Sequence, residues 1–194
     1  SMGPMLKEES FHLGTGSNGL RRVIKAGVIP LDMLQRFFNK WVSTAHDLFG
    51  TDSSSSAEWA YVWGIKGRWD ERKKLDTGIE LDKSILNEES RGHYHDEIVN
   101  EVEKLNSYLP KSAERRLFVC HENFNRDIGE YADKRCTLEG DLFKGDDAEW
   151  EVYIATVMPT AEDEEQLKEL FKLEWIENKP MTPRQIASGI GASA

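Results

Sequence analysis

Glu9-Ser10-Phe11-His12 sets a carboxylate and an imidazole three positions apart. On a helix, residues at that spacing share one face and can hold a metal ion between them. Di-metal carboxylate bundles use such a Glu-x-x-His pair on each of two helices and a Glu from each of two others. Alone, the motif also fits a solvated Glu beside a core-edge His. Its surroundings add weight. Met5, Glu9, His12, Gly16, Gly19 and Val23 recur at helical spacing, so they form one stripe. A carboxylate on a buried stripe needs a compensating cation or an Arg.

Other candidates have plainer readings. Gly14-Thr15-Gly16-Ser17-Asn18-Gly19 matches G-x-G-x-x-G. A dinucleotide fingerprint needs a strand before it, and the residues before this one are charged and helical. Close approach of a second helix accounts better for the glycines. His93-Tyr94-His95-Asp96 could ligate a metal, but before a helix His95 or Asp96 reads as a cap. Cys120 and His121 are adjacent, so on a strand they point to opposite faces and cannot pair. His46-Asp47 suits the end of a helix. Arg68, Arg72, Lys73 and Lys74 form the strongest basic cluster: a solvated patch, or contacts for the phosphates of an acyl-CoA.

The elements that must position these residues are mostly helices. The first runs from Met5 to about Ala26 and stops at Gly27. A second follows Pro30, with an apolar face of Leu31, Leu34, Phe37, Phe38, Trp41, Val42, Ala45, Leu48 and Phe49. A third is expected from about Ser55 to Lys66. Residues 67–92 are polar and poorly periodic. A fourth helix fits Asp96 to Leu109, with Ile98, Val99, Val102 and Leu105 inward, and Pro110 ends it. Arg116–Cys120 reads as a strand and Cys136–Phe143 as a hairpin, a small β excursion near residues 114–143. Helices resume at about Asp147–Val157 and Glu162–Trp175. This gives three regions: a helical part over 1–110, an α+β extension over 111–178 and a loose tail over 179–194.

Composition narrows the classes. The chain has 194 residues, 39% hydrophobic, with six Trp, eight Phe and five Tyr, enough for a packed core. Mean hydropathy is −0.59, and no run approaches the roughly 18 apolar residues of a membrane span. Two cysteines without zinc-like spacing make no disulfide framework. A net charge of −10 argues against nucleic acid and anionic membranes as partners. A soluble cytoplasmic protein is the expectation.

Residue order adds a resemblance. Met5–His12 with Gly14, Gly16 and Gly19-Leu20 resembles the last metal-binding helix of the ferritin-like di-iron aromatic acyl-CoA epoxidases. That family includes the phenylacetyl-CoA epoxidase subunits and the oxygenase component of benzoyl-CoA 2,3-epoxidase. Ala26–Ile29, Leu34–Arg36, Asp47–Gly50 with Ser53 and Ser54, and Gly64–Arg68 continue the similarity. So do His121 with Phe124–Gly129, then Trp150, Pro159 and Glu162-Asp163. The resemblance implies the C-terminal part of a ferritin-like bundle, starting within its last metal helix. It implies iron held in part by Glu9 and His12, O₂, and electrons from a flavin/iron–sulfur reductase, spent on the ring of an aromatic acyl-CoA. Arg68, Arg72 and Lys73 would face the CoA phosphates. One Glu/His pair cannot complete a site of roughly six protein ligands. The missing N-terminal helices, a partner subunit or a second copy would have to supply the rest. The chain would then be inactive alone. The other reading is a non-catalytic, oligomerising or partner-binding subunit.

Overall fold

The computed structural model describes residues 2–50, 59 and 83–171. It is mainly helical: α1 Met2–Ala26, α2 Leu31–Asp47, α3 Lys83–Asn106, a 3₁₀ turn Gly129–Tyr131, α4 Asp147–Val157 and α5 Ala161–Phe171. The chain divides into two units, Ser1–Pro159 and Thr160–Ala194. Among the described residues no helix is long and apolar enough to cross a membrane.

In the first unit α1 ends where the sequence predicts. Gly27 takes φ +63°, a left-handed value that glycine adopts without strain, and its N–H donates to the Val23 carbonyl. Only the last turns of α1 are anchored. Ile24 is buried with Val102, Leu105 and Leu117, and Lys25 lies 4.7 Å from the Tyr108 ring centre, a cation–π contact. Residues 3–13 and 15–20 are exposed.

The glycines of α1 have no close neighbour. A Cβ built at Gly14, Gly16 or Gly19 meets nothing within 4 Å, so the expected approach of a second helix is absent among the described residues. Their position inside a helix removes the dinucleotide reading too. In this chain they only weaken α1. Gly16→Ala is therefore expected to raise helicity by circular dichroism, with a local gain of up to about 1 kcal/mol. An unchanged or weaker helix signal would show that something does pack against Gly16.

Helix α3 begins at Lys83, well before the expected Asp96. His95 and Asp96 therefore lie inside it and cap nothing. The expected inward set is also partly wrong: Val102 and Leu105 are buried and Ile98 packs against them, but Val99 is exposed. The helix expected over Ser55 to Lys66 lies outside the described residues, apart from Trp59.

The β excursion near residues 114–143 is not formed as a hairpin. The described residues contain no strand, only an isolated antiparallel bridge between Cys136 and Leu142. The tight turn is real: Gly140 takes φ +88°, and a Cβ there would collide with the His121 ring. The 116–120 run is extended but pairs with side chains instead of a strand. Leu117 N–H donates to Asn106 Oδ1 at 2.9 Å, and Asn106 Nδ2 donates to the Leu117 carbonyl at 2.8 Å. Gln35 repeats this on Phe118, accepting its N–H at 2.9 Å and donating to its carbonyl at 3.0 Å. Two amides, one from α3 and one from α2, thus satisfy the backbone that a neighbouring strand would otherwise hold.

Helix α2 is buried on a more polar face than its apolar pattern suggests. Its buried residues are Met33, Asn39, Val42, Ser43 and His46, whereas Trp41 and Leu48 are exposed. Asn39 accepts from Gln35 and donates to the Val157 carbonyl at 2.8 Å, tying α2 to the end of α4. Helix α4 starts as predicted, with a capping box: Asp146 accepts the Glu149 N–H, and Glu149 accepts the Asp146 N–H. In the second unit, the Asp163 carboxylate accepts from the Thr160 N–H at 2.9 Å, which fixes the start of α5.

Candidate functional site

The Glu-x-x-His pair lies on α1, on one face. Glu9 Oε2 and His12 Nδ1 are 4.0 Å apart, with the side chains 74% and 67% exposed. Both face outward in this chain, not toward its core. Two ligands adjacent in one ion's coordination shell, each about 2.1 Å from it, lie about 3 Å apart. An exposed pair reaches that spacing by a small rotamer change. The residues therefore fit two ligand positions on one ion. Among the described residues no group of three or more His, Cys, Asp or Glu could hold a metal. Arg68, Arg72 and Lys73 lie outside the described residues.

The structure also joins residues that the sequence left apart. His46 near the end of α2 is fully buried and stacks on His95 of α3, with ring centres 5.4 Å apart and planes 28° apart. His46 Nε2 and His95 Nδ1 share a hydrogen bond of 3.4 Å. Tyr94 meets the His46 ring edge-on, and Phe49 packs on Tyr94. His46 Nδ1 is buried without a hydrogen-bond partner. The tautomer that gives the Nε2 proton to His95 leaves only a lone pair there, which costs less than an unpaired N–H.

Charges crowd this pair. Arg91 Nε lies 3.3 Å from Glu122, and the nearly buried Arg126 Nε lies 4.0 Å from Asp47. Burial first, then electrostatic repulsion from neighbouring His95, Arg91, Arg126 and His121, pushes the His46 pKa down to about 4. Burial lowers His95 as well, with Glu122 working the other way. Burial raises Asp47 against the pull of Arg126. These surroundings favour neutral imidazoles, and their stacking and shared hydrogen bond join α2 to α3.

Cys120 is no nucleophile. Its side chain is fully buried and burial pushes the thiol up to about 12, so it stays protonated. His121 is exposed and its Nδ1 accepts from the Asn123 N–H at 3.1 Å.

The structure is thus a mainly helical chain whose first helix carries an outward Glu-x-x-His. No protein-family model matches it. It is 31% identical to benzoyl-CoA oxygenase component B of Aromatoleum evansii, over an alignment that takes in 82% of this chain. The chain belongs to the aromatic acyl-CoA epoxidase family. It spans 42% of the length of that relative.

Proposed function

We propose that this chain is the C-terminal portion of an oxygenase that inserts oxygen into the ring of an aromatic acyl-CoA, and that Glu9 and His12 are two of its iron ligands. The observation that carries the reading is the likeness to benzoyl-CoA oxygenase component B, together with a Glu/His pair on one helix face. Bound iron would supply the chemistry that activates O₂. This chain's own part would be to hold one carboxylate and one imidazole in place on α1. The rest of a site of roughly six ligands would come from helices beyond this chain, from a partner or from a second copy. The relative's name makes it one component of an oxygenase, and by the same reading a reductase would feed electrons to this one.

The test is a chimera in which this chain replaces the matching 42% of the Aromatoleum relative. With reductase, NADH and O₂, the chimera is expected to oxygenate benzoyl-CoA. Glu9→Ala or His12→Ala should reduce the rate at least about 100-fold and lower bound iron. The chain alone should give no product. Full activity in both variants would remove Glu9 and His12 from the site. Turnover by the isolated chain would overturn the incomplete-site reading.

A second reading has its own observation. Met5, Leu6, Phe11 and Leu13 on α1 are all more than 60% exposed, and Trp41 of α2 is 65% exposed. Apolar surface on that scale marks an interface. A subunit without a complete metal site, built to pair with another chain, would show it too. Sedimentation separates the cases: a monodisperse monomer counts against this second reading.

A further inference from the structure

A cleft of about 470 Å³ lies in the first unit between the start of α2, the 115–118 stretch and the end of α4. Leu31 and Val157 give it apolar wall, and Arg36, Arg115 and Arg116 give it charge. The one carboxylate lining it, Asp32, is bound to Arg36 at 3.1 Å. Arg115 and Arg116 have no carboxylate partner among the described residues. Two adjacent unpaired guanidiniums in one cleft run against a net charge of −10. Guanidinium forks match phosphate oxygens in pairs. The floor is preorganised: Gln35 spends its amide on both backbone groups of Phe118 and on Asn39. Phe118 is thereby fixed through its backbone while its ring stays 46% exposed at the cleft, free to stack on a flat ring. The volume falls within the usual range for small-ligand pockets, about 300–1,000 Å³.

We propose that this cleft binds a nucleoside phosphate, with Arg115 and Arg116 on the phosphates and the Phe118 ring against the base. A coenzyme A thioester carries such a group, so the cleft would serve the oxygenase reading, yet it rests on its own residues. Failure of nucleotide binding would leave the Glu9/His12 reading untouched.

Calorimetric titration of the whole chain with ADP, adenosine and pyrophosphate tests it. ADP is expected to bind at least about tenfold more tightly than either fragment, because only ADP meets both the arginines and the ring. The exposed double substitution Arg115→Gln with Arg116→Gln should weaken ADP at least about tenfold, with the circular dichroism spectrum unchanged. Phe118→Leu should weaken ADP and leave pyrophosphate as it was. Pyrophosphate as tight as ADP would reduce the cleft to bare charge attraction and overturn the proposal. So would ADP binding that ignores the arginine substitutions, or no binding at about 1 mM ADP.

Discussion

Lowering the pH from 7 to 4 is expected to remove about 3 kcal/mol of folding stability through His46 alone. The unfolded imidazole takes up its proton near pH 6.5, while the folded one waits until about 4. Between those values the unfolded state binds more protons, so stability rises with pH across that window. The stabilisation is whole above about pH 6.5 and lost progressively toward pH 4, each pKa unit being worth about 1.4 kcal/mol. His95, lowered in the fold by burial, acts in the same direction. Asp47 acts in the opposite one: its carboxyl is raised by burial, so the folded state takes up that proton first and gains stability as the pH falls. The net slope is the imidazole loss less this gain. Urea midpoints measured from pH 7.5 to 4.5 would show it. His46→Leu, which keeps an apolar body against Tyr94 and removes the titration, should flatten the slope by nearly one proton. An identical slope in that variant would mean that His46 is not the group being charged.

Why the sequence hid this pair is a matter of separation and of chemistry. His46 and His95 stand 49 positions apart, and each has a sufficient local explanation: a cation at a helix end, or a cap before a helix. Only the α2–α3 packing brings the rings together. The Glu9/His12 spacing was readable because both residues lie on one helix, whose period is known in advance. The ends of α1 and α4 were readable for the same local reason: Gly27 and the Asp146/Glu149 box are signals set within a few residues. Helix α2 is legible in part. Val42 is buried and Leu31, Leu34 and Phe38 pack on the core as the apolar pattern expects. The pattern does not account for the polar residues buried beside them. Trp41 and Leu48 suggest an inward stripe, yet the residues turned inward include Asn39, Ser43 and His46. A hydrophobic pattern cannot reveal a face buried for its amides. The same amides explain the absent strand. Arg116–Cys120 has the composition of a strand, but Asn106 and Gln35 meet its backbone first. The start of α3 was missed because residues 83–92 carry little periodicity of their own.

Those two amides carry the other large effect, and they should differ sharply. Asn106 is 3% exposed and Leu117 is 4% exposed, so the bonds between them are closed to water. Asn106→Leu keeps the volume but strands a buried N–H and a buried carbonyl, each costing about 1–3 kcal/mol. A loss of about 2–5 kcal/mol is expected, a large part of the 5–15 kcal/mol that holds an ordinary domain. Asn106→Asp should be nearly as costly. Its carboxylate accepts the Leu117 N–H but turns an oxygen toward the Leu117 carbonyl, and it brings a charge into a buried site. Gln35→Met removes the matching pair from Phe118, whose backbone bonds are solvent-exposed. Water can replace them there, so about 1 kcal/mol or less is lost, apart from the Gln35–Asn39 bond. Urea denaturation of the three variants at pH 7.5 reads the contrast. Equal losses for Asn106→Leu and Gln35→Met would show that burial does not set the worth of the clamp. A cost under about 1 kcal/mol for Asn106→Leu would mean that the 116–120 run is held by its apolar side chains, with the amide bonds incidental to the fold.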